Sequence, residues 1–191
     1  MKLNSVFTES EQYEIEVVKG KVQKKLRELL ADLPTESYQY FKDMILTGGC
    51  FASLFQGESP KDWDVYLRDI DTAQEFDGMV MGDVTMMALV KDVNPAYRVA
   101  TKVRSKVITE NAVTFKNQLQ VITNNDKTGR KSFDFIHCMP YFDMSAQKLF
   151  ISRAQYDSIK RKQLVKNPAH TRPLGEHRVE KFISRGWYLG A

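Results

Sequence analysis

Gly48 and Gly49 are followed, after twelve intervening residues, by Asp62-Trp63-Asp64. These residue types at this spacing could bind a polyanion together with the divalent cations that accompany it. A short apolar run, Met44 to Leu46, leads into the glycine pair, and an amphipathic stretch from Cys50 to Phe55 follows it. That order reads as a strand, a tight turn and a helix start. Glycine lets backbone approach a phosphate closely, and the unpaired N–H groups and dipole of a helix N-terminus favour an anion there.

Asp62 to Leu67 alternates carboxylate and apolar residues, so as a strand it presents Asp62 and Asp64 on one face and Trp63 and Val65 on the other. Two like charges about 4 Å apart repel by roughly 4 kcal/mol at an effective dielectric near 20, a cost that calls for a counter-ion. Hard oxygen donors of this kind suit Mg²⁺ or Mn²⁺. A third carboxylate would complete such a site and deprotonate an incoming nucleophile. Ser132-Phe133-Asp134-Phe135-Ile136-His137-Cys138 supplies one, because Asp134 stands among large apolar residues in a strand-like run and needs a partner there.

The glycine pair, the spaced Asp-hydrophobic-Asp-hydrophobic run and the later Asp134 together resemble the DNA polymerase beta nucleotidyltransferase superfamily. The resemblance covers the middle of the chain. The later half, with Asn111 to Phe115, Gln118 to Thr123, the Asp134 segment and Arg185-Gly186-Trp187, is similar to nucleotidyltransferase-like proteins encoded by bacteriophages. The resemblance implies a nucleotide-phosphate turn at Gly48 and Gly49, metal ligands at Asp62 and Asp64, and Asp134 as the third carboxylate serving metal or base. It implies two Mg²⁺ or Mn²⁺ ions, a nucleoside triphosphate as substrate, and release of pyrophosphate as an acceptor hydroxyl takes the nucleoside monophosphate. Cys50 and Ser53 join the glycines as expected nucleotide-binding positions, and Lys160 is the expected triphosphate grip if the C-terminal helices fold over the cleft.

Several elements must position these groups. Thr8 to about Leu33 reads as an amphipathic helix with a Thr8–Glu11 capping box and Pro34 beyond its end; Val17, Val18, Val22, Leu26, Leu29 and Leu30 form its stripe. Helices are expected over 36–42 and 72–80, and strands over 106–109, 112–115, 118–123, 132–138 and 148–152. Two further helices follow, over 153–165 and near 176–184, the last ended by Gly186. The expected fold is mixed α/β, a nucleotidyltransferase-like sheet flanked by helices. Residues 1–152 would form the core and 153–191 a basic helical segment packed on it.

With 191 residues, 42% of them hydrophobic, the chain can bury one ordinary core and has no room for a large second domain. No apolar run approaches membrane-spanning length and the first residues lack the apolar centre of a signal peptide, so a soluble, cytoplasmic protein is expected, in the host cytoplasm if phage-encoded. The two cysteines, Cys50 and Cys138, fit free buried thiols better than a disulfide or a zinc knuckle.

The net charge of +4 is mild for a nucleic-acid binder, but its distribution is uneven. Lys102, Arg104 and Lys106 form one basic group. Lys160, Arg161, Lys162, Lys166, Arg172, Arg178, Lys181 and Arg185 form a second. The positive C-terminus favours an RNA or tRNA acceptor, with a protein side chain and a small-molecule alcohol as the other options; a solvated helical face reads equally well. Two other classes stay open: a catalytically inactive nucleotidyltransferase-fold protein that serves a phage as a structural or partner-binding module, and a toxin or defence-related transferase. The oligomeric state is left open.

Overall fold

The computed structural model describes residues 6–90 and 112–190. The strand expected over 106–109 and the Lys102, Arg104 and Lys106 group lie outside them.

Helix α1, Glu9–Ala31, starts at the expected capping box: Thr8 accepts from the Glu11 amide and Glu11 accepts from the Thr8 amide. Val18, Val22, Leu26 and Leu29 are buried, whereas Val17 is exposed. Residues 36–42 do not make one helix. A 3₁₀ turn, Thr35–Ser37, runs into a single helical turn, α2, Tyr38–Phe41. Strand β1, Ile45–Thr47, then leads through Gly48 into α3, Cys50–Phe55, and β2, Trp63–Tyr66, follows. Helix α4, Ile70–Gly82, is capped by the Asp69 carboxylate on the Thr72 amide, and α5, Val84–Leu89, by Asp83. Past the undescribed segment come β3, Ala112–Thr114, and β4, Leu119–Ile122. Strands β5, Tyr141–Asp143, and β6, Lys148–Phe150, complete the main sheet.

The sheet has six strands in the order β3-β4-β2-β1-β5-β6, with β2 and β4 parallel and every other pair antiparallel. It is thus a mixed sheet flanked by helices, as expected for the fold class. One face carries Leu46, Val65, Val113, Val121 and Phe142, all buried with the α1 stripe in one core. Phe76 of α4 lies at the centre of this packing, edge-on to Tyr40, Phe41 and Phe115 at centroid distances of 5.6, 5.3 and 6.3 Å. On the opposite face, the register aligns Thr47, Asp64, Gln120 and Thr114 in one polar row across four strands.

The segment 132–138 is not a strand, contrary to expectation. A 3₁₀ turn, Gly129–Ser132, precedes Asp134, another, Ile136–Cys138, follows it, and only Phe135 makes an isolated bridge, with Lys166. The place beside β1 is taken by β5. Buried Asn167 draws the segment away from the sheet: its amide group donates to the carbonyls of Lys131 and Phe133, and its backbone N–H donates to the Asp134 carbonyl.

Helix α6, Arg153–Arg161, ends earlier than the sequence suggested, because Lys162 turns left-handed with φ of 52°. The chain then forms β7, Gln163–Leu164, which pairs in parallel with β8, Tyr188–Leu189. Between these strands lies α7, Glu176–Ile183, and Gly186 turns the chain back with φ of 81°. No described helix is long and apolar enough to cross a membrane.

Phe76 is fully buried against Tyr40, Phe41 and Phe115, so truncation leaves a cavity. Phe76→Ala should lower stability by roughly 3–5 kcal/mol, read as a reduced urea midpoint with an unchanged slope.

Candidate functional site

The glycine turn and β2 meet at the open end of the polar row. Gly48 has φ of 93°, in the left-handed region, and a Cβ built there would stand 2.6 Å from Asp64 Oδ2. Both facts require glycine. The Gly48 amide donates to the Cys138 carbonyl at 3.1 Å, and Thr47, fully buried, donates its hydroxyl to the Pro140 carbonyl at 2.9 Å. The turn is therefore pinned to the segment 138–140. Beyond it, the first amides of α3 have no intrahelical partner.

A cleft of about 470 Å³ opens over this turn. Its floor holds Gly48, Gly49, Cys50 and Ser53, with Asp62 and Asp64 beside them. Arg178, Lys181 and Arg185, carried by α7 and the turn after it, line the same cleft, as do Phe182 and Trp187. The structure thus gathers Gly48, Gly49, Cys50, Ser53, Asp62 and Asp64 in one place. A smaller depression of about 210 Å³, lined by Gln39, Tyr40, Asp43, Arg68, Thr72 and Glu75, contains none of them.

Asp62, the residue before β2, faces solvent, while Asp64 is half-buried. Burial, and then the neighbouring charge of Asp62, push the Asp64 carboxyl up to about 6, against the opposing pull of Lys181. The residue beside Asp64 on β4 is Gln120, which donates to Thr114 Oγ1. Its amide adds no charge.

Two of the expected site residues are paired elsewhere. Asp134 does not join the acidic pair: its carboxylate is held by Arg178, with Nε to Oδ2 at 2.6 Å and a guanidinium NH₂ to Oδ1 at 3.0 Å. Burial alone would raise the Asp134 pKa, but the hydrogen bonds and charge of Arg178 outweigh it and hold the group below the usual carboxylate range. Among the described residues no three His, Cys, Asp or Glu side chains converge as a metal-binding group. Lys160 is also absent from the cleft. Its ammonium pairs with Glu14 of α1 at 2.7 Å and reaches the Phe55 carbonyl at 3.4 Å, tying α6 to α1 and α3.

The cations that do line the cleft belong to the basic C-terminal group. Arg178 and Lys181 are one helical turn apart, a spacing that places both on one face. Lys181 and Arg185 form no ion pair among the described residues. His137 is fully buried in a 3₁₀ turn, its ring centroid 4.1 Å from that of Trp187, and among the described residues neither ring nitrogen finds a hydrogen-bond partner. Burial holds its pKa down to about 4, so it stays neutral. Cys50 and Cys138 are free and buried as expected, and burial raises both thiols, which speaks against a thiolate nucleophile.

A family model described as "Gad2: Gabija anti-defense 2 family protein" matches residues 20–162. No curated protein matches the chain. Among solved structures, the Thermotoga maritima CCA-adding enzyme complexed with tRNA is similar at 14% identity and a TM-score of 0.47, over 78% of this chain and 35% of that one. A CCA-adding enzyme in complex with CTP is similar at 14% identity and a TM-score of 0.48, over 88% of this chain and 42% of that one.

Two outcomes follow from the packing of Gly48 against Asp64. Gly48→Ala should cost roughly 1–3 kcal/mol through backbone strain and the forced displacement of Asp64, measured by denaturant unfolding. Asp64→Asn should act in the other direction. The folded-state pKa of Asp64 lies above its unfolded value, so its stabilising contribution is complete below about pH 4 and is lost as pH rises through about 6. In EDTA at pH 7–8 the Asn variant should therefore be more stable than the parent by up to roughly 3 kcal/mol, with the difference vanishing below pH 4.

Proposed function

The chain belongs to the Gabija anti-defense 2 family, and from that premise we propose that it opposes Gabija defence as a Mg²⁺-dependent nucleotidyltransferase. The observation that carries the reading is the juxtaposition of Asp62 and Asp64 with the Gly48 turn at the floor of one cleft, under a wall of basic side chains. An all-protein cage is not needed, because Mg²⁺ is commonly held by one or two carboxylates and the phosphates of its nucleotide. Asp62 and Asp64 fit that role through their hard oxygen donors and their unrelieved repulsion. Mg²⁺ bound there would neutralise phosphate charge and stabilise the transition state of an in-line displacement.

The chain's own residues account for the rest. Gly48 and Gly49 let the triphosphate lie against backbone, next to the free first-turn amides of α3. Lys181 and Arg185 supply positive charge where pyrophosphate departs. The acceptor oxygen bonds to the α-phosphorus as the bond to the β-phosphate bridge breaks, and pyrophosphate leaves with the electron pair. The hydroxyl proton passes to Asp62, the solvent-facing carboxylate, since Asp134 is engaged by Arg178. The acceptor is a hydroxyl of an RNA, protein or small molecule; the basic C-terminal wall favours RNA.

One observation favours a second reading. With Asp134 withdrawn, the acidic group has two members, which also suits a nucleotidyltransferase fold that retains nucleotide or partner binding without transfer.

Purified protein, Mg²⁺ and each α-labelled nucleoside triphosphate should be incubated with RNA and protein from cells carrying Gabija. Label should move to one acceptor class, and Asp62→Asn or Asp64→Asn should lower kcat by at least roughly a thousandfold, as expected for lost electrostatic stabilisation of the transition state. Protection of phage from Gabija should be lost with the same substitutions. Protection that persists in Asp64→Asn, with no label transferred by the parent, would establish the binding reading instead.

A further inference from the structure

We propose that Asp134 is a positioning residue: through Arg178 it sets α7 against the sheet so that Lys181 and Arg185 face Asp62 and Asp64. The purpose of that orientation rests on the cleft reading above. The positioning itself rests on geometry alone.

Helix α7 contributes little of its own to hold it in place. It is eight residues long, none of its residues is buried, and its N-cap, Gly175, makes no side-chain cap. A helix that short is unstable in isolation and takes its order from what it docks on. Besides the packing of Val179 on the core and the β7–β8 pairing that follows the helix, two contacts dock it. One is apolar: Phe182 sits edge-on to Phe135 and to His137, at centroid distances of 5.5 and 4.7 Å. The other is the two-point pairing of Arg178 with Asp134.

The apolar contact fixes distance but leaves rotation loose, because rings slide at small cost. A bidentate guanidinium–carboxylate pair fixes direction as well, since its two parallel hydrogen bonds are planar. Rotation of α7 about its axis decides where Lys181, one turn from Arg178, points. The Asp134 carboxylate is fixed in turn by a buried frame: its Oδ1 accepts from the Phe135 amide at 3.2 Å, and its carbonyl accepts from the Asn167 amide at 2.8 Å. The side chain of Asp134 is 10% exposed, whereas that of Arg178 is 42% exposed and lines the cleft. The order of support therefore runs from Asn167 to Asp134, then Arg178, then the rest of α7.

The test compares Asp134→Asn, Asp134→Glu, Arg178→Gln and Asp64→Asn in the full chain. In hydrogen exchange, amides of residues 176–189 should exchange at least tenfold faster in Asp134→Asn and in Arg178→Gln, with core strands unchanged. Asp134→Glu should recover most of the protection. Mn²⁺ titration followed by electron paramagnetic resonance should give Asp134→Asn the parent's affinity within twofold and Asp64→Asn a large loss. In the transfer assay Asp134→Asn should raise KM for the nucleotide about tenfold with kcat within threefold, a split that a lost metal ligand would not produce. Loss of Mn²⁺ binding in Asp134→Asn to the same extent as in Asp64→Asn would overturn the proposal, as would unaltered exchange over 176–189. If Asp134→Asn fails to fold, Arg178→Gln decides by the same exchange criterion. A parent protein that binds no Mn²⁺ and transfers nothing would remove the cleft reading, and the exchange result would still decide the role of Asp134.

Discussion

The arrangement of this protein depends on the contact between Gly48 and Asp64. With Asp64 Oδ2 2.6 Å from where a Cβ would stand, the turn leaving β1 and the carboxylate on β2 occupy nearly the same space. The antiparallel register that pairs Thr47 with Asp64 makes this unavoidable. The sheet thus does more than support the site. Its pairing presses a carboxylate against a turn whose backbone is left-handed and whose following helix has unsatisfied amides, and a close-packed core beneath prevents either from retreating. A group that buries charge in this way is costly to the fold, and such costs are retained where a ligand offsets them.

How far this was legible in the sequence follows from the range of the interactions. The strand-turn-helix unit at Gly48, the Asp62 and Asp64 pair, the Thr8 capping box and the stripe of α1 are written within a few residues, where period and residue type decide the outcome. The mixed α/β class followed from them. Asp134 and Lys160 carry signals that look equally local, yet their partners lie 44 and 146 residues away, in Arg178 and Glu14. An aspartate among apolar residues announces that it needs a partner, and nothing nearby in the chain says whether that partner is a cation in solution or an arginine on another helix.

The same limit explains the segment 132–138. Its alternation of large apolar residues is that of a strand, but a strand also needs a vacant neighbour in the sheet. Beside β1 that place goes to Tyr141–Asp143, and the Asn167 side chain satisfies the carbonyls that a strand would have presented. The basic C-terminal group was visible as composition. Which of its members face the cleft depends on the docking of α7, a tertiary fact.

Lys181 stands close enough to lower the pKa of Asp64, yet burial and Asp62 still leave that carboxyl near 6. The basic wall therefore does not neutralise the acidic floor, and the floor does not neutralise the wall, since Lys181 and Arg185 form no ion pair among the described residues. Both charged groups line one cleft of about 470 Å³, and α7 is docked beside it by the Arg178–Asp134 pair and by the packing of Phe182 on Phe135 and His137. Had the helix collapsed onto the floor, lysine and aspartate would have paired directly and satisfied each other. A ligand that satisfies both surfaces must itself be layered, with cationic charge toward Asp62 and Asp64 and anionic charge toward α7. On the proposed reading, that ligand is a nucleoside triphosphate chelated to a divalent cation. A free phosphate or a bare metal ion would satisfy only one side.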